Sequence, residues 1–429
     1  MAAFKSLRAI MLMDLHWGAI SPVKMKQEME ETLYSHLRTT ESPINLICIG
    51  GDLFDSKQYL SSDVTNHVLN FIHDLLVLTK DMQTQIYIVK GTRTHDDLQL
   101  QTLKTIMAMN RYHKRVHIIE EVTEVTLVNM GYSDPYMQQF TNWYPLDSLS
   151  GYELDEMDDV IKMLFIPEEY IVDQKEYYKD TLYNDNKYYD IIVGHGMVDK
   201  IWYANQQTQH GSLVMKHSAS PVFAVDDLLK SAGYVYFGHI HTHKKYGDGG
   251  RFQYVGPFTR WEFGNDDSVG YLEIEYDFID HKLFDEIYHV NTKAQRLSTK
   301  AITIRESMDL TSLNDLLNIT VSQEMEHCDR LRLIVNLYAN IENVLQMRGF
   351  IISKIGDMPF VKMVLTMIDQ ENVGLDGNNT VDIEEKRKET LNYFMDRELD
   401  KQVHRYIKDK KQIDIPLEDI RRILSIKEE

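Results

Sequence analysis

The sequence predicts an α/β protein, and two observations carry that reading. Short apolar runs of four to seven residues recur through the first part of the chain: AIMLM, INLICIG, IYIV, MLFIP, DIIVG and YVYFG. Between many of them lie longer stretches with helical spacing. Uninterrupted apolar runs suit strands buried on both faces, and such strands need helices to cover them.

Taken in order, the elements fit this plan. Between the second and third runs, SSDVTNHVLNFIHDLLVL sets Val64, Val68, Phe71, Ile72 and Leu75 on one helical face. After about Gly264 the chain turns β-rich, as in VGYLEIEYDF. From about Ala301, AITI, DRLRLIVNLYA, GFIISKI and FVKMVLTM alternate with SLNDLLNIT and IENVLQM, which reads as a separate small α+β unit. NVGLDGNNTVD has linker composition. Beyond it Leu391, Met395, Leu399, Val403 and Ile407 recur every four residues, and a second short helix starts at Pro416 with Leu417, Ile420, Ile423 and Leu424 apolar.

The 429 residues allow two or three domains, and 43% apolar with 26% charged residues is an ordinary soluble composition. A net charge of -20 argues against nucleic-acid binding by bulk charge, although a bound metal or a basic partner supplies positive charge locally. Two cysteines, Cys48 and Cys328, make no disulfide framework and point to a reducing compartment. AIMLM is too short, and Asp14 comes too soon after it, for a signal peptide, and no window of eighteen uncharged apolar residues predicts a membrane span.

The informative residues stand just past each run. AIMLM leads to Asp14 and His16, INLICIG to Asp52 and Asp55, and IYIV to Thr94, His95 and Asp96. DIIVG leads to His195, and YVYFG to His239 and His241. Open α/β sheets bind ligands at the C-terminal ends of their strands. In D-x-H and H-x-H, strand alternation would aim both side chains the same way. Mixed imidazole and carboxylate donors suit Mn, Fe, Zn or Co better than Mg alone. So many donors exceed one tetrahedral ion and predict a pair, the arrangement used for in-line attack on phosphorus. Each motif alone reads as a turn or a strand end; their joint occurrence, each after a strand, points to a metal centre. His243 lies in HKKYG, which reads as a solvated loop.

D-x-H, G-D-x-x-D, a G-x-H-D-type loop, G-H-x and G-H-x-H in this order resemble the calcineurin-like metallophosphoesterases. The later tract YVGPFTRWEFGNDDSVGYLEIE is similar to the one that comes after G-H-x-H in DNA-repair nucleases of the SbcD type. The likeness covers residues 8 to about 276 and is architectural beyond them. It implies a four-layer sandwich of two mixed sheets flanked by helices, with a small α+β cap domain and C-terminal helices. The expected divisions are a nuclease domain over 1–298, a cap over 299–372, a linker over 373–382 and C-terminal helices over 383–429.

Carried over residue by residue, the resemblance implies that Asp14, His16 and His241 hold one ion and Asp52 bridges to the other. His195 and His239 would complete the second ion's shell. His95 would sit near the leaving oxygen as proton donor or charge stabiliser, with Asp96 orienting it. The family favours manganese. Its loop reads G-N-H-D or G-N-H-E, the asparagine binding the second ion, whereas this chain has Gly91-Thr92-Arg93-Thr94-His95-Asp96, two residues longer. Thr94 is therefore expected in the asparagine's place, as a weaker oxygen donor. Arg93 either contacts substrate phosphate or is simply solvated.

The implied activity is a manganese-dependent exonuclease on duplex ends and endonuclease on single strands, in DNA repair, recombination or replication. The implied setting is the cytoplasm of a bacterium or of a virus's host. No G-x-x-x-x-G-K-[ST] occurs, so any ATP dependence comes from a separate SbcC-like ATPase, which the helices over 383–429 would contact. A homodimer through the helices after Asp55 is also implied. Two other classes fit the metal motifs: a phosphodiesterase or phosphatase on small molecules or phosphoproteins, and a non-catalytic scaffold with a degenerate loop.

Overall fold

The computed structural model describes residues 6–59, 61–96, 98–108, 113–129, 143–148, 160–171, 173–199, 222–263, 267–355, 357–358 and 360–368. The expected linker and C-terminal helices lie outside them. The strands are β1 Ser6–Leu12, β2 Leu46–Gly50, β3 Gln85–Val89, β4 Val116–Ile119, β5 Thr123–Asn129 and β6 Trp143–Pro145. They continue with β7 Val160–Ile166, β8 Tyr189–His195, β9 Met197–Val198, β10 Val222–Phe223, β11 Ala232–Gly238 and β12 Lys244–Tyr246. The last are β13 Phe252–Tyr254, β14 Gly270–Asp277, β15 Lys282–Val290, β16 Leu297–Ile304, β17 Arg330–Tyr338 and β18 Val361–Ile368. All six apolar runs of the sequence fall on or against strands.

Two mixed sheets organise the first part of the chain. One has the order β15-β14-β1-β2-β3-β4, parallel from β1 to β4 and antiparallel through β14 and β15. The other has the order β12-β13-β11-β8-β7-β5-β6, parallel from β13 to β7 and antiparallel at both margins. Residues alternate between the faces of each strand. Leu7, Ala9 and Met11 of β1, Leu46 and Cys48 of β2 and Tyr87 and Val89 of β3 share one apolar cluster with Ile161, Met163 and Phe165 of β7, Ile191 and Val193 of β8 and Tyr236 of β11. That cluster joins the inner faces of the two sheets.

The alternate residues face outward and are covered by helices. Ile10, Leu12, Ile47, Ile49, Ile86 and Ile88 pack with α1 (Pro22–Met29), α2 (Ser35–Thr39), α3 (Asp63–Leu78) and residues of Gln99–Ala108. On the second sheet Leu164, Ile166, Ile192, Val235 and Phe237 pack with Val225 and Leu228 of the helix Val225–Ser231. Burial on both faces is why the runs show no polar alternation. The architecture is mixed α/β, with helices against two mixed sheets.

The helix α3 carries the periodicity read from sequence: Val68, Phe71, Ile72 and Leu75 are buried on it. Ser62 caps its start by accepting the Thr65 N–H at 3.1 Å. At its other end the buried Arg115 donates to the carbonyls of Leu76 at 2.6 Å and Thr79 at 3.1 Å. A cation there satisfies carbonyls that have no helical partner and meets the negative end of the helix dipole.

The chain forms two compact units, the first running to Lys300 and adding Asn318–Arg332 and Pro359–Lys362. The remainder contributes to a three-stranded sheet of order β16-β17-β18 with helices Leu310–Met325 and Val344–Lys354. In β17, Leu331, Leu333, Val335 and Leu337 are buried at alternate positions. Cys48 and Cys328 are both buried free thiols. Among the described residues no helix is long and apolar enough to cross a membrane.

Replacing Arg115 with Met keeps the aliphatic stem and removes the guanidinium, leaving the helix-end carbonyls without their charged donor. Arg115→Met is expected to lower folding stability by about 1.5–3 kcal/mol. The denaturant midpoint reads this directly, and an unchanged midpoint would contradict it.

Candidate metal centre

The two sheets present the C-terminal ends of their parallel strands to one place. Asp14 and His16 come after β1, Asp52 and Asp55 after β2, and Thr92 and His95 after β3. From the other sheet come Glu168 after β7, His195 at the end of β8, and His239 and His241 after β11. Three groups of side chains converge there with ligand atoms close enough to share a cation: Asp14, His16 and His241; Asp14, Asp52 and His195; and Glu168, His195 and His239. A further group, His16, Asp55 and His95, adjoins the first.

All six expected ligands, Asp14, His16, Asp52, His195, His239 and His241, are thus brought together. The reason they converge differs from strand alternation. Of eight non-glycine residues with positive φ among those described, four are Asp14 (48°), His16 (45°), Asp52 (47°) and His239 (94°). Each costs on the order of 1–3 kcal/mol in backbone strain, which persists only where the surroundings impose it. β1 ends at Leu12 and β11 at Gly238, so D-x-H and H-x-H are turns rather than strand. The two histidines of H-x-H accordingly separate, His241 to the first group and His239 to the last.

The contacts are close. His195 Nε2 lies 3.2 Å from Asp14 Oδ1 and 3.3 Å from Asp52 Oδ2. His16 Nε2 lies 3.2 Å from His241 Nε2 and 3.7 Å from Asp52 Oδ2. Glu168 Oε2 lies 2.8 Å from His195 Nδ1 and 3.1 Å from His239 Nδ1. The His239 backbone N–H donates to Asp14 Oδ1 at 2.8 Å, while Asp14 Oδ2, fully buried, has no hydrogen-bond partner. A buried carboxylate oxygen without a donor is costly unless a cation meets it. That orphaned oxygen, within a set of imidazoles and carboxylates, fits divalent metal binding.

The electrostatics agree. Burial works against ionisation of Asp14, but the hydrogen bond and charge of His195 more than reverse it, leaving the carboxyl below its ordinary value. Burial also opposes ionisation of Asp52 and Glu168, yet His195 and the other histidines hold both well below the carboxylate range. Burial alone would lower His195; the charges and hydrogen bonds of Asp52, Asp14 and Glu168 instead raise it well above its ordinary value. His241, lowered by burial, is raised by its bond to Glu262 and the charge of Asp14. Both shifts favour the protonated imidazole, the form that competes with a cation for the same nitrogen.

The loop after β3 departs from expectation at Thr94 and Asp96. Thr94 is exposed whereas Asp52 is buried, so Thr94 is not the oxygen donor beside it. Thr92 is there instead: its N–H donates to Asp52 Oδ1 at 2.6 Å and its hydroxyl lies 3.2 Å from Asp52 Oδ2. The two extra residues form a helical turn, Arg93–Asp96, that carries Thr94 outward. Arg93 is exposed and sits 4.9 Å over the Tyr170 ring. Asp96 does not orient His95. It accepts from the N–H groups of Gly91 at 2.9 Å, Phe54 at 3.2 Å and Leu53 at 3.4 Å, tying the β2 and β3 loops together. Burial and the Asp52 charge push Asp96 up to about 7, against those N–H groups. His95 is oriented by the Asp55 carbonyl, which accepts from Nδ1, and its ring packs edge-on to His16 at 4.8 Å.

Sequence reasoning missed Glu168, Thr92, Glu262 and Trp261. Trp261 packs on His16 at 4.5 Å and on His241 at 4.9 Å, and Glu262 Oε1 lies 3.3 Å from His241 Nδ1. A signal for Glu168 existed: it stands just past MLFIP, a sixth apolar run ending in a carboxylate. A separate group of His36, Glu273 and His289 is satisfied without a cation, since Arg8 pairs with Glu273. Among known proteins, no family model matches the chain and no curated sequence matches it.

Because ligation needs neutral imidazole and His195 and His241 are raised, cation binding must expel protons. The affinity for Mn2+ is therefore expected to rise with pH, about tenfold per pH unit for each proton released. Calorimetry in buffers of different protonation enthalpy counts those protons. An affinity flat from about pH 6 to 8 would contradict the protonation assigned to His195 and His241.

Proposed function

We propose that this chain is a calcineurin-like metallophosphoesterase and, within that class, an SbcD-type nuclease that hydrolyses DNA phosphodiesters with two divalent ions, manganese by preference. The observation that carries the reading is the pair of donor groups, Asp14–His16–His241 and Glu168–His195–His239, with His195 between them meeting Asp14 and Asp52 at Nε2 and Glu168 at Nδ1, beside an Asp14 oxygen with no donor. Bound there, divalent ions would supply Lewis-acid chemistry toward phosphorus and a more acidic water.

The chain's own residues do the rest. Asp14, His16 and His241 would hold one ion, His195 and His239 the other, and Asp52 both. With Nδ1 committed to the Asp55 carbonyl, His95 keeps Nε2 for exchanging a proton with a substrate oxygen. Trp261 and Glu262 brace His16 and His241. They belong to the tract that carries the likeness to SbcD-type nucleases, and this supports DNA over other phosphodiesters. The same likeness proposes an SbcC-like ATPase as partner and a homodimer as the assembly.

A second reading, a phosphodiesterase on small molecules, is favoured by the net charge of -20, which opposes binding a polyanion such as DNA. Purified protein with Mn2+ on duplex DNA, single-stranded DNA and a chromogenic phosphodiester separates the readings. Cleavage of the chromogenic substrate alone favours the second, and cleavage of none of the three overturns both.

Asp52→Asn is expected to abolish DNA cleavage while leaving the circular dichroism spectrum unchanged, because one carboxylate serves both ions. Near-normal cleavage by that variant would contradict the two-ion assignment. His95→Ala is expected to slow cleavage by roughly 10²–10⁴-fold with Mn2+ content retained. Loss of metal along with activity would instead make His95 a ligand.

A further inference from the structure

We propose that Glu168 is itself a ligand of the second ion, a carboxylate supplying the oxygen that the β3 loop does not. This rests on the two-ion reading above. Glu168 is 2% exposed and stands at the end of a strand, β7, next to β8. Its backbone N–H donates to the Lys90 carbonyl at 3.1 Å, which fixes it across from the β3 loop. Its Oε2 faces Nδ1 of both His195 and His239, and lies 3.3 Å from the Thr92 hydroxyl.

Thr92 is the weaker candidate. Its hydroxyl lies 3.2 Å from Asp52 Oδ2 and 3.3 Å from Glu168 Oε2 and donates its one proton to one or the other, which leaves a neutral oxygen where Glu168 offers a charged one. Thr94 is exposed. Among the described residues, Glu168 is the carboxylate that groups with both His195 and His239.

Charge makes the same point. Asp14, Asp52 and Glu168 are buried together, and the charges that favour their ionised forms are those of histidines, His195 acting on all three. The basic neighbour Lys90 pairs with Glu169. Three carboxylates buried together, with only histidines named as their cationic partners, make a strongly anionic pocket that suits a divalent cation. A carboxylate where a neutral amide would serve lowers the net charge of a two-ion site by one. The second ion is then held more firmly than a neutral threonine hydroxyl in the same place would hold it.

Two roles must be told apart, since a carboxylate on His195 Nδ1 could merely orient the ring. An amide at 168 still accepts from Nδ1 but carries no charge. The full-length protein is titrated with Mn2+ alone, read by calorimetry and by the electron paramagnetic resonance of coupled ion pairs, beside Glu168→Gln, Glu168→Ala and Glu168→Ala with Thr92→Asn.

The unmodified protein is expected to bind two ions and give a coupled-pair spectrum. Glu168→Gln should weaken the second ion by more than the roughly 10–100-fold that losing an orienting partner costs, and Glu168→Ala should lose it, leaving a single-ion spectrum. Thr92→Asn, which places an amide oxygen beside Asp52, should restore the pair in the Glu168→Ala background. Unchanged second-ion affinity in Glu168→Gln, or a pair persisting in Glu168→Ala, would overturn the assignment and leave the two-ion reading standing. Failure of the unmodified protein to bind Mn2+ would overturn both. Anomalous diffraction from Mn2+-loaded crystals of the unmodified protein decides the matter even where a variant fails to fold. A Glu168 oxygen within about 2.0–2.6 Å of a manganese peak supports the ligand, and its absence there refutes it.

Discussion

At the C-terminal edges of the two sheets the chain approaches itself so closely that three positions have no room for a β-carbon. One on Gly51 would overlap the His195 ring, and one on Gly91 would overlap the backbone and carboxylate of Asp52. One on Gly238 would press on the Gly50 carbonyl, on His195 and on Asp14. This closeness is what lets a histidine from the second sheet lie within about 3 Å of two aspartates from the first. The positive φ values of Asp14, His16, Asp52 and His239 have the same origin, since each chain must turn sharply as it leaves its strand. The apolar cluster between the sheets holds the approach in place, and the strain is met from that packing.

The close approach has an electrostatic consequence. It gathers Asp14, Asp52, Asp96 and Glu168 into one buried region, each nearly or fully removed from water. They reach different solutions. Asp96 accepts three backbone N–H groups and still sits near neutrality, a structural clasp between two loops. Asp14, Asp52 and Glu168 face imidazoles, and one Asp14 oxygen faces nothing that donates. Asp14 and Asp52 each accept one backbone N–H, from His239 and Thr92, but unlike Asp96 they also turn an oxygen toward imidazoles.

Around this centre the tract from Pro257 to Glu262 acts as a brace. Met13 bridges to Pro257, Thr259 donates to the buried Glu28 at 2.6 Å, and Trp261 and Glu262 lie against His16 and His241. Glu28 is raised by burial despite its bonds from Thr259 and Asn291. The brace therefore links α1 to the ligand histidines through a buried polar contact, and it joins the helical layer to the site.

Much of this was legible in the chain itself. Strands buried on both faces write themselves as unbroken apolar runs, and the helix over Asp63–Leu78 shows as a periodic stripe after Ser62. Donors placed just past the strand ends at Asp14, Asp52, His195 and His239 could be read for the same reason, because strand ends of one sheet share an edge. Only tertiary structure decided which loop residue meets Asp52, since the short helical turn Arg93–Asp96 swings Thr94 out and leaves Thr92 behind. Spacing along the chain does not record such a turn. Asp96 looked like a partner for its neighbour His95, yet backbone N–H groups from another loop claim it. Glu168 entered the site because β7 lies beside β8 and its end meets the β3 loop, where the Glu168 N–H donates to the Lys90 carbonyl across a long separation in sequence. Local pattern specifies which residues end a strand; which of those ends meet is set by sheet order and by how closely two backbones can pack.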